Sequence, residues 1–390
     1  MKTIRRLSFF LVPTRLLFAL AFPLAAQQPD AHLAAGTHEL ALVGTYTNQN
    51  GSKGIYAFDF DTSTGKLSDM RIAAETRNPS WVAIHPNGKY VYAANESGPQ
   101  STVTAYALDA SSGKLTQLNQ LPSLGEDPCY LSFDRTGKYL FVANYTSGTV
   151  AVFPILADGK LGEHTALVND TGTLGPKTDR QEHSHAHWVQ ASQGNRYVFV
   201  SDLGLDAILS FRFDAAKGTL TPNDPPFAKL APGSGPRHMA FSPNGKFAYV
   251  LSELSSTVTA FSYDGSKGAL SEFQIISTRG AQSSGRNDTA EVAVEPSGKW
   301  LFASNRGLET ISVFSIDSLK GTLTAAGNFP TGGKEPRHFA IDPTGHFLLA
   351  ENQLTNSIVV FRIDFATGSL TKVSEADDIP SPVCLTFAPR

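Results

Sequence analysis

The chain repeats one sequence pattern six times, and this repetition constrains the fold more than any other feature. Each copy has an apolar segment, a turn of the Pro-x-Gly-Lys type, a second apolar segment and then a polar residue. The copies occupy residues 80–96, 129–145, 187–203, 237–253, 290–306 and 337–353. Their turn residues are spaced by 49, 58, 50, 53 and 47 positions and are Gly88, Gly137, Asn195, Gly245, Gly298 and Gly345. Repetition at this spacing is typical of units that stack and bury one another's apolar faces.

Alternating apolar and polar residues continue after each copy, as in "TVTAYALDASSGKL" and "SIVVFRIDFATGSL", so each unit is predicted to contain four strands. A seventh unit is split: "SPVCLTFAPR" at the C-terminus matches a first strand, and "ELALVGTYTNQNGSKGIYAFDFDTSTGKL" near the N-terminus supplies the other three. The sequence therefore predicts an all-β fold, a seven-bladed β-propeller of four-stranded antiparallel blades over residues 39–390. The C-terminal strand is expected to close the ring by joining the N-terminal blade. A pair of β-sandwiches, the competing arrangement, does not account for the split unit.

Residues 1–26 have a different composition from the repeats. An apolar run, Leu16–Leu24, ends at a possible cleavage site, Leu24-Ala25-Ala26, and follows four basic residues: Lys2, Arg5, Arg6 and Arg15. This pattern predicts a signal peptide over 1–26, then a flexible segment over 27–38. An uncleaved anchor is the alternative. We expect an exported protein, periplasmic or secreted, without stable membrane association after cleavage.

Charge and cysteine content exclude some classes of function. Removal of the four basic residues changes the formal net charge from −3 to −7, and an acidic chain disfavours a nucleic-acid partner. The two cysteines, Cys129 and Cys384, fall in different units and are expected to be small buried residues without a disulfide.

The repeat also predicts which residues meet at one mouth of the central channel. The first strand of a blade lines the channel, and its start lies beside the end of the antiparallel second strand. Eight positions before the turn residue, the units carry Ser80, Cys129, His187, Arg237, Ala290 and Arg337. Eight positions after it, they carry Glu96, Tyr145, Leu203, Glu253, Arg306 and Gln353, and the preceding position includes Asn144 and Asn305. Arginines gathered at one mouth indicate an anionic ligand, although Arg–Glu pairs that merely close the channel are the alternative.

The stretch "HSHAHWV" places three histidines at alternate positions, 183, 185 and 187. His187 falls in the ring of channel residues, His185 is expected to point the same way, and His183 lies further out as loop surface. Side chains two positions apart on a strand are ~7 Å apart, whereas zinc needs ligands at ~2 Å. Three residues in a row on one strand cannot share an ion without a sharp bend. We therefore expect no metal site and no cofactor.

The segments "GPRHMAFSPNGKFAYVLSELSSTV", "SNRGLETISVFSID" and "EPRHFAIDPTGHFLLAENQ" resemble the seven-bladed lactonase family. "VGTYT" and "HAHWV…DLGLDAI" fit the same resemblance, which covers essentially the whole chain after residue 26. The family includes 6-phosphogluconolactonases of the cycloisomerase type and carboxymuconate lactonizing enzymes. The resemblance implies catalytic roles for four residues of the predicted mouth: His187, Arg237, Glu253 and Arg306.

The preferred hypothesis is hydrolysis of a sugar-type or acidic lactone, with His187 as general base and arginines holding the anion. Glu253 would orient His187 or an arginine, or would donate a proton if burial raises its pKa. The remaining residues expected to bind substrate are His185, Arg337, Glu96, Gln353, Asn144 and Asn305. A lactonizing cycloisomerase that acts on a muconate-type diacid, and a non-catalytic propeller that binds a ligand or partner, are the alternatives. We expect a small anionic molecule as the partner, and a monomer or weak dimer.

Overall fold

The computed structural model of the protein describes residues 38–48, 51–280 and 284–388. The predicted signal peptide lies outside the described residues, as does the predicted flexible segment except for its last residue. The described residues form seven sheets, each of four antiparallel strands. This confirms the prediction of a seven-bladed β-propeller.

The strands follow the chain blade by blade. The first blade contains β1 (His38–Thr45), β2 (Gly54–Asp61), β3 (Lys66–Glu75) and the C-terminal β28 (Pro382–Phe387). The second contains β4 (Pro79–Ile84), β5 (Tyr90–Asn95), β6 (Thr102–Leu108) and β7 (Leu115–Pro122), with a short 3₁₀ helix at Gly98–Gln100. The third contains β8 (Pro128–Phe133), β9 (Tyr139–Asn144), β10 (Thr149–Pro154) and β11 (Ala166–Asn169). The fourth contains β12 (Ala186–Ala191), β13 (Tyr197–Asp202), β14 (Ala207–Asp214) and β15 (Thr219–Lys229).

Three further blades complete the ring. The fifth contains β16 (Pro236–Phe241), β17 (Phe247–Ser252), β18 (Thr257–Asp264) and β19 (Ala269–Ser277). The sixth contains β20 (Asp288–Val294), β21 (Trp300–Arg306), β22 (Thr310–Ile316) and β23 (Leu323–Pro330). The seventh contains β24 (Pro336–Ile341), β25 (Phe347–Asn352), β26 (Ser357–Ile363) and β27 (Leu370–Ala376).

The C-terminal strand closes the ring, as the split repeat predicts. In the first blade β28 is antiparallel to β1, with Val43 opposite Leu385. The first strands of the blades contact one another in the cyclic order β28, β4, β8, β12, β16, β20 and β24, and the last of these contacts β28 again. Each innermost strand therefore lies between two others, and the ring has no open seam.

The tight turn between the first and second strands depends on one backbone conformation. The residue at the turn position has a positive φ in six blades: Gly88, Gly137, Asn195, Gly245, Gly298 and Gly345. Glycine adopts this conformation without steric cost, and asparagine is among the side chains that tolerate it best. The replacement of glycine by Asn195 in one repeat therefore preserves the turn.

Apolar residues that alternate along the strands form cores between neighbouring blades. One core, for example, joins Phe141 and Val152 of the third blade to Val198 and Leu209 of the fourth. Successive residues of a strand face the two neighbouring blades in turn, so inner strands such as β9 and β13 are buried along their whole length. These cores fix the starts of the first strands and the ends of the second strands at one edge of the ring.

Among the described residues, no helix is long and apolar enough to cross a membrane.

Candidate active site

A cavity of about 240 Å³ opens at the edge of the ring where first strands begin and second strands end. Ten residues line it: Glu96, Cys129, Tyr145, Arg180, His187, Glu253, Arg286, Asp288, Arg306 and Arg337. Four of these are arginines and three are carboxylates, so the surface of the cavity is dominated by charge. The spacing of the repeats predicted that most of these positions would converge.

Glu253 is the centre of an ion-pair cluster on one wall of the cavity. Its carboxylate lies 2.6 Å from Arg180, 3.1 Å from Arg237 Nε and 3.0 Å from Arg306. Burial raises the pKa of Glu253, but the guanidinium groups of Arg306, Arg237 and Arg180 outweigh burial and lower it to about 2. Glu253 therefore stays ionised at neutral pH. Of the roles that the sequence left open, the structure favours orienting the arginines over donating a proton.

Backbone carbonyl groups fix two of these arginines in place. Arg237 donates to the carbonyl oxygen of Ala290, and Arg306 donates to those of Asp288 and Thr289 at 3.3 and 3.1 Å. Arg237 does not line the cavity. Its side chain is only 3% exposed and contacts Glu253. Burial and the charges of Arg306 and Arg337 lower the pKa of Arg237, but only to about 10, so the side chain remains charged at neutral pH.

His187 is the second residue of β12, the same position that Arg237 holds in β16 and Arg337 holds in β24. Its ring contacts the edges of Tyr145 and His238 at centroid distances of 5.4 and 5.1 Å, and its Nδ1 lies 3.7 Å from Cys129 Sγ. Burial and the charge of Arg237 hold the pKa of His187 well below its usual value. At neutral pH the imidazole is therefore uncharged and free to accept a proton.

Arg337 differs from the other arginines of the cavity. Arg180 and Arg306 contact Glu253, and Arg286 contacts Asp288 at 2.7 Å. Arg337 instead donates to the hydroxyl of Tyr46 at 3.0 Å and lies over its ring at 5.4 Å. The Tyr46 hydroxyl in turn donates to Glu96 at 2.7 Å. Among the described residues, no carboxylate forms an ion pair with Arg337, although Glu96 and Glu253 attract its charge from further away. Part of the charge of Arg337 is therefore available to a ligand.

The cavity contains five of the ten predicted site residues, namely Glu96, His187, Glu253, Arg306 and Arg337. Arg237 does not line the cavity but forms an ion pair with the cavity residue Glu253. Four other predicted residues lie elsewhere. His185 stacks on the ring of the cavity residue Tyr145, and the backbone N–H of Gln353 donates to the backbone carbonyl oxygen of Glu335.

Asn144 and Asn305 are held by hydrogen bonds to their own blades and to the segments that follow the preceding blades. The Asn144 amide donates to Ser123 O and Thr149 Oγ1. Asn305 donates to Thr310 and Ser312 and accepts from Thr278 and Asn287. These bonds explain why both residues are buried, and the prediction that they bind substrate gains no support from the geometry.

Some residues of the cavity were not predicted to be part of the site. Cys129 and Tyr145 occupy positions of the predicted ring, so the spacing was a signal for both. Arg180 comes from the insert before β12, and Arg286 from the segment before β20. Neither has a counterpart position in the repeat, so the sequence pattern gave no signal for them.

A second charged cluster lies deeper in the channel and is fully buried. His238 Nδ1 is 2.9 Å from Glu291, and His338 is 3.5 Å from Glu291 and 2.6 Å from Glu351. The edges of both histidine rings meet Trp81. We refer to His238, Glu291, His338 and Glu351 as the channel cluster.

Comparisons with known proteins agree with this fold. The model of the family described as "Lactonase, 7-bladed beta-propeller" matches residues 40–387. A 6-phosphogluconolactonase of Bacillus subtilis (strain 168) is 37% identical over 301 residues, which cover 77% of this chain and 84% of the relative. A 6-phosphogluconolactonase of Formosa agariphila is 36% identical over 301 residues, with coverage of 76% and 84%.

Two solved structures are also similar. A putative 6-phosphogluconolactonase from Bacteroides fragilis is 39% identical, with a TM-score of 0.83 and coverage of 90% of this chain and 98% of that one. The periplasmic gluconolactonase of Pseudomonas aeruginosa is 33% identical, with a TM-score of 0.85 and coverage of 90% and 99%.

Proposed function

Because the chain belongs to the seven-bladed β-propeller lactonase family and is a lactone-hydrolysing enzyme, we propose that it opens an anionic sugar lactone in the cavity around His187. The observation that supports this site is the pairing of two features in one cavity. His187 is a buried, uncharged imidazole, and Arg337 is an arginine whose contacts leave its charge available. A base and an anion-binding group are the two elements that hydrolysis of such a substrate requires.

In the proposed reaction the imidazole of His187 takes a proton from water as the water oxygen attacks the lactone carbonyl carbon. The carbonyl oxygen becomes an oxyanion, which the fixed guanidinium group of Arg306 stabilises. The bond between the carbonyl carbon and the ring oxygen then breaks, and the ring oxygen receives the proton from the imidazolium. The products balance as one hydroxy acid from one lactone and one water.

Binding of an anionic substrate also assists the base. The charges of Arg237 and Arg337 contribute to the low pKa of His187. A phosphate or carboxylate that pairs with Arg337 offsets that charge, so the pKa of His187 rises when substrate is bound. The base therefore becomes stronger only when the anion is in place.

The names of relatives suggest two substrate classes. The Bacillus subtilis relative is a 6-phosphogluconolactonase, and the Pseudomonas aeruginosa neighbour is a periplasmic gluconolactonase. The four arginines of the cavity outnumber its three carboxylates by one, which favours the substrate that carries an additional anionic group. We therefore infer a phosphorylated or acidic sugar lactone rather than the neutral one.

We further propose that the protein is exported to the periplasm or secreted. The basic and apolar residues of 1–26 support this location, and one structural neighbour is described as periplasmic. Fractionation of cells that express the full-length chain tests it. The protein is expected in the periplasmic or medium fraction, shortened at its N-terminus, and recovery of the full-length chain in the cytoplasm would count against export.

The experiment that tests the proposed reaction follows acid release from 6-phosphogluconolactone and from glucono-δ-lactone. The variant is His187→Gln, and the matched control is His346→Gln, at a partly buried histidine on the hairpin turn between β24 and β25. Loss of a general base is expected to lower kcat by about 10²–10⁴-fold, while the control keeps its activity. Equal rates for the His187 variant and the wild type would reject His187 as the base.

A muconate-type diacid serves as a third substrate in the same assay. Loss of its ultraviolet absorbance on addition of enzyme, without hydrolysis of either sugar lactone, would indicate the lactonizing reaction instead.

A further inference from the structure

Glu182, His183 and His185 converge in front of β12. His183 Nε2 lies 3.4 Å from Glu182 Oε1, and His185 Nε2 lies 3.3 Å from the same oxygen. The three atoms all lie within 4.8 Å of one another. The sequence argument against a shared ion assumed that the strand extends back to His183. The strand begins at Ala186, and the chain before it bends, so the two histidine rings approach to a centroid distance of 4.1 Å.

Hydrogen bonds at Nδ1 determine which nitrogen of each ring is available. His183 Nδ1 lies 2.8 Å from the carbonyl oxygen of Ser184, and His185 Nδ1 lies 3.1 Å from that of Tyr145. A carbonyl oxygen only accepts, so Nδ1 carries the hydrogen in both rings. In the neutral ring Nε2 then has a free lone pair. Fixing the tautomer through Nδ1 in this way is the usual support for a metal-binding histidine.

His185 Nε2 supplies an independent observation. The residue is 3% exposed, and its Nε2 is buried without a hydrogen-bond partner. The nearest charged atom, Glu182 Oε1, faces the nitrogen at 3.3 Å without hydrogen-bond geometry. Two lone pairs at that distance repel each other unless a proton or a metal ion lies between them. The same oxygen also lies 3.4 Å from His183 Nε2, and one ion shared by the three ligand atoms accounts for both close approaches.

We propose that Glu182, His183 and His185 form a binding site for a divalent transition-metal ion of the zinc class. Two imidazole nitrogens and one carboxylate oxygen are a typical zinc ligand set. Ligands at ~2.0–2.1 Å in tetrahedral geometry are about 3.3 Å apart, which agrees with the two Glu182–His distances. Glu182 and His183 are half exposed, which leaves a fourth position open to water.

The proposed metal site lies next to two residues of the cavity wall, Arg180 and Tyr145. Arg180, two residues before Glu182, reaches Glu253, and His185 stacks on Tyr145 at a centroid distance of 4.3 Å. A bound ion would tie the segment that carries Arg180 to the strand that carries His187. Its role is therefore positioning rather than catalysis. Metal binding does not depend on the proposed reaction, because it can be measured without any substrate.

The test is titration of the purified, metal-free protein, without a polyhistidine tag, with Co²⁺ and with Zn²⁺. We expect one ion per chain and, for Co²⁺, visible absorption of the intensity that tetrahedral coordination gives. His183→Ala and Glu182→Ala, both at half-exposed positions, should each weaken binding by at least about tenfold. His346→Ala, at a histidine remote from the site, should bind like the wild type.

Thermal unfolding of the metal-free variants checks that each is folded. The proposal is overturned if the wild type binds neither ion, or if both substitutions leave the affinity and the Co²⁺ spectrum unchanged. Because activity is not measured, failure of the proposed lactonase site would not affect this outcome.

Discussion

Glu253 at the cavity and the carboxylates of the channel cluster are all buried, but they have different kinds of partner. Glu253 is surrounded by guanidinium groups, which keep their charge over the whole physiological pH range. Glu291 and Glu351 face histidines, whose charge depends on pH: burial lowers the pKa of His238 to about 4, whereas Glu351 outweighs burial and raises that of His338. The cavity therefore has a fixed charge pattern, whereas the channel cluster can change its charge.

This difference explains why one region is suited to binding an anion and the other to a structural role. Arginines held by Glu253 and by backbone carbonyls present the same positive groups to a ligand at any pH from about 5 to 9. The pocket beside the channel cluster, lined by Trp81, Cys129 and His238 among others, has a volume of only about 10 Å³. Six substitutions test this account, and the predictions are ordered by the size of the expected effect.

The largest effect is expected for Glu253→Gln. The substitution leaves Arg237 and Arg306 without their buried anion, so the free energy of unfolding should fall by about 3–5 kcal/mol. Glu291→Gln in the channel cluster is the comparison, and its cost should be smaller because His238, whose pKa burial lowers to about 4, is already uncharged at pH 7 and His338 can release its proton. Chemical denaturation at pH 7 measures both. Equal costs for the two variants would remove the distinction between the regions.

The pKa of Glu253 also predicts how the cavity responds to acid. Its folded value of about 2 is below the value of an unfolded glutamate, so its contribution is present above about pH 4.5 and is lost as pH falls towards 2. The stability of the wild type relative to Glu253→Gln should therefore be constant from pH 5 to 8 and should shrink below pH 4.

A smaller effect, on substrate binding, is expected for Arg337→Met. Loss of a charged hydrogen-bond donor should cost about 1.5–3 kcal/mol, or a roughly 10–150-fold rise in KM for the phosphorylated lactone. The KM for the neutral lactone should change little, because that substrate has no anion to pair with the arginine. Steady-state kinetics with both substrates measure the ratio. An equal rise for both would show that Arg337 supports the shape of the cavity rather than the anion.

Asn305→Ala tests a residue that the sequence placed among the substrate-binding groups. Its hydrogen bonds go to Ser312 of the same blade and to Thr278, which follows β19 of the preceding blade, so the substitution should lower the free energy of unfolding by about 1–3 kcal/mol and leave KM unchanged. Asn144→Ala, in the equivalent position of the third blade, should behave in the same way. A selective rise in KM for either variant would support the original prediction.

The smallest effect is a pH dependence in the channel cluster. Burial lowers the pKa of His338, but the Glu351 carboxylate outweighs burial and raises it above the usual value. Its stabilising contribution is then fully present below about pH 6.5 and is lost as pH rises through the folded pKa. Unfolding curves of the wild type and His338→Gln should therefore differ most near pH 6 and less near pH 9. A difference that grows with pH would contradict this assignment.

The fold could be predicted from the sequence because each feature of the repeat determines a nearby element of structure. Alternation sets the strands, the turn glycine or asparagine sets the hairpins, and the split unit sets the closure of the ring. The convergence of His187, Glu253, Arg306 and Arg337 followed from the same rules, since equivalent positions of equivalent blades meet at one edge.

The remaining features depend on contacts that the repeat does not encode. Arg180 reaches the cavity from an insert, and only tertiary packing determines where an insert lies. His185 was predicted to lie on the same strand as His187, but β12 begins at Ala186. The first residue of a strand cannot be determined from the alternation of apolar and polar residues alone. Whether burial or the arginines control the pKa of Glu253 depends on distances that only the folded chain supplies.

The most direct test of the central claim is a crystal structure of the protein with the product acid, 6-phosphogluconate, bound. We predict that its phosphate lies within about 3 Å of the Arg337 guanidinium group and that its carboxylate lies beside His187 and Arg306. Product bound among the hairpin turns at the opposite edge of the ring, with the cavity free of it, would contradict the account.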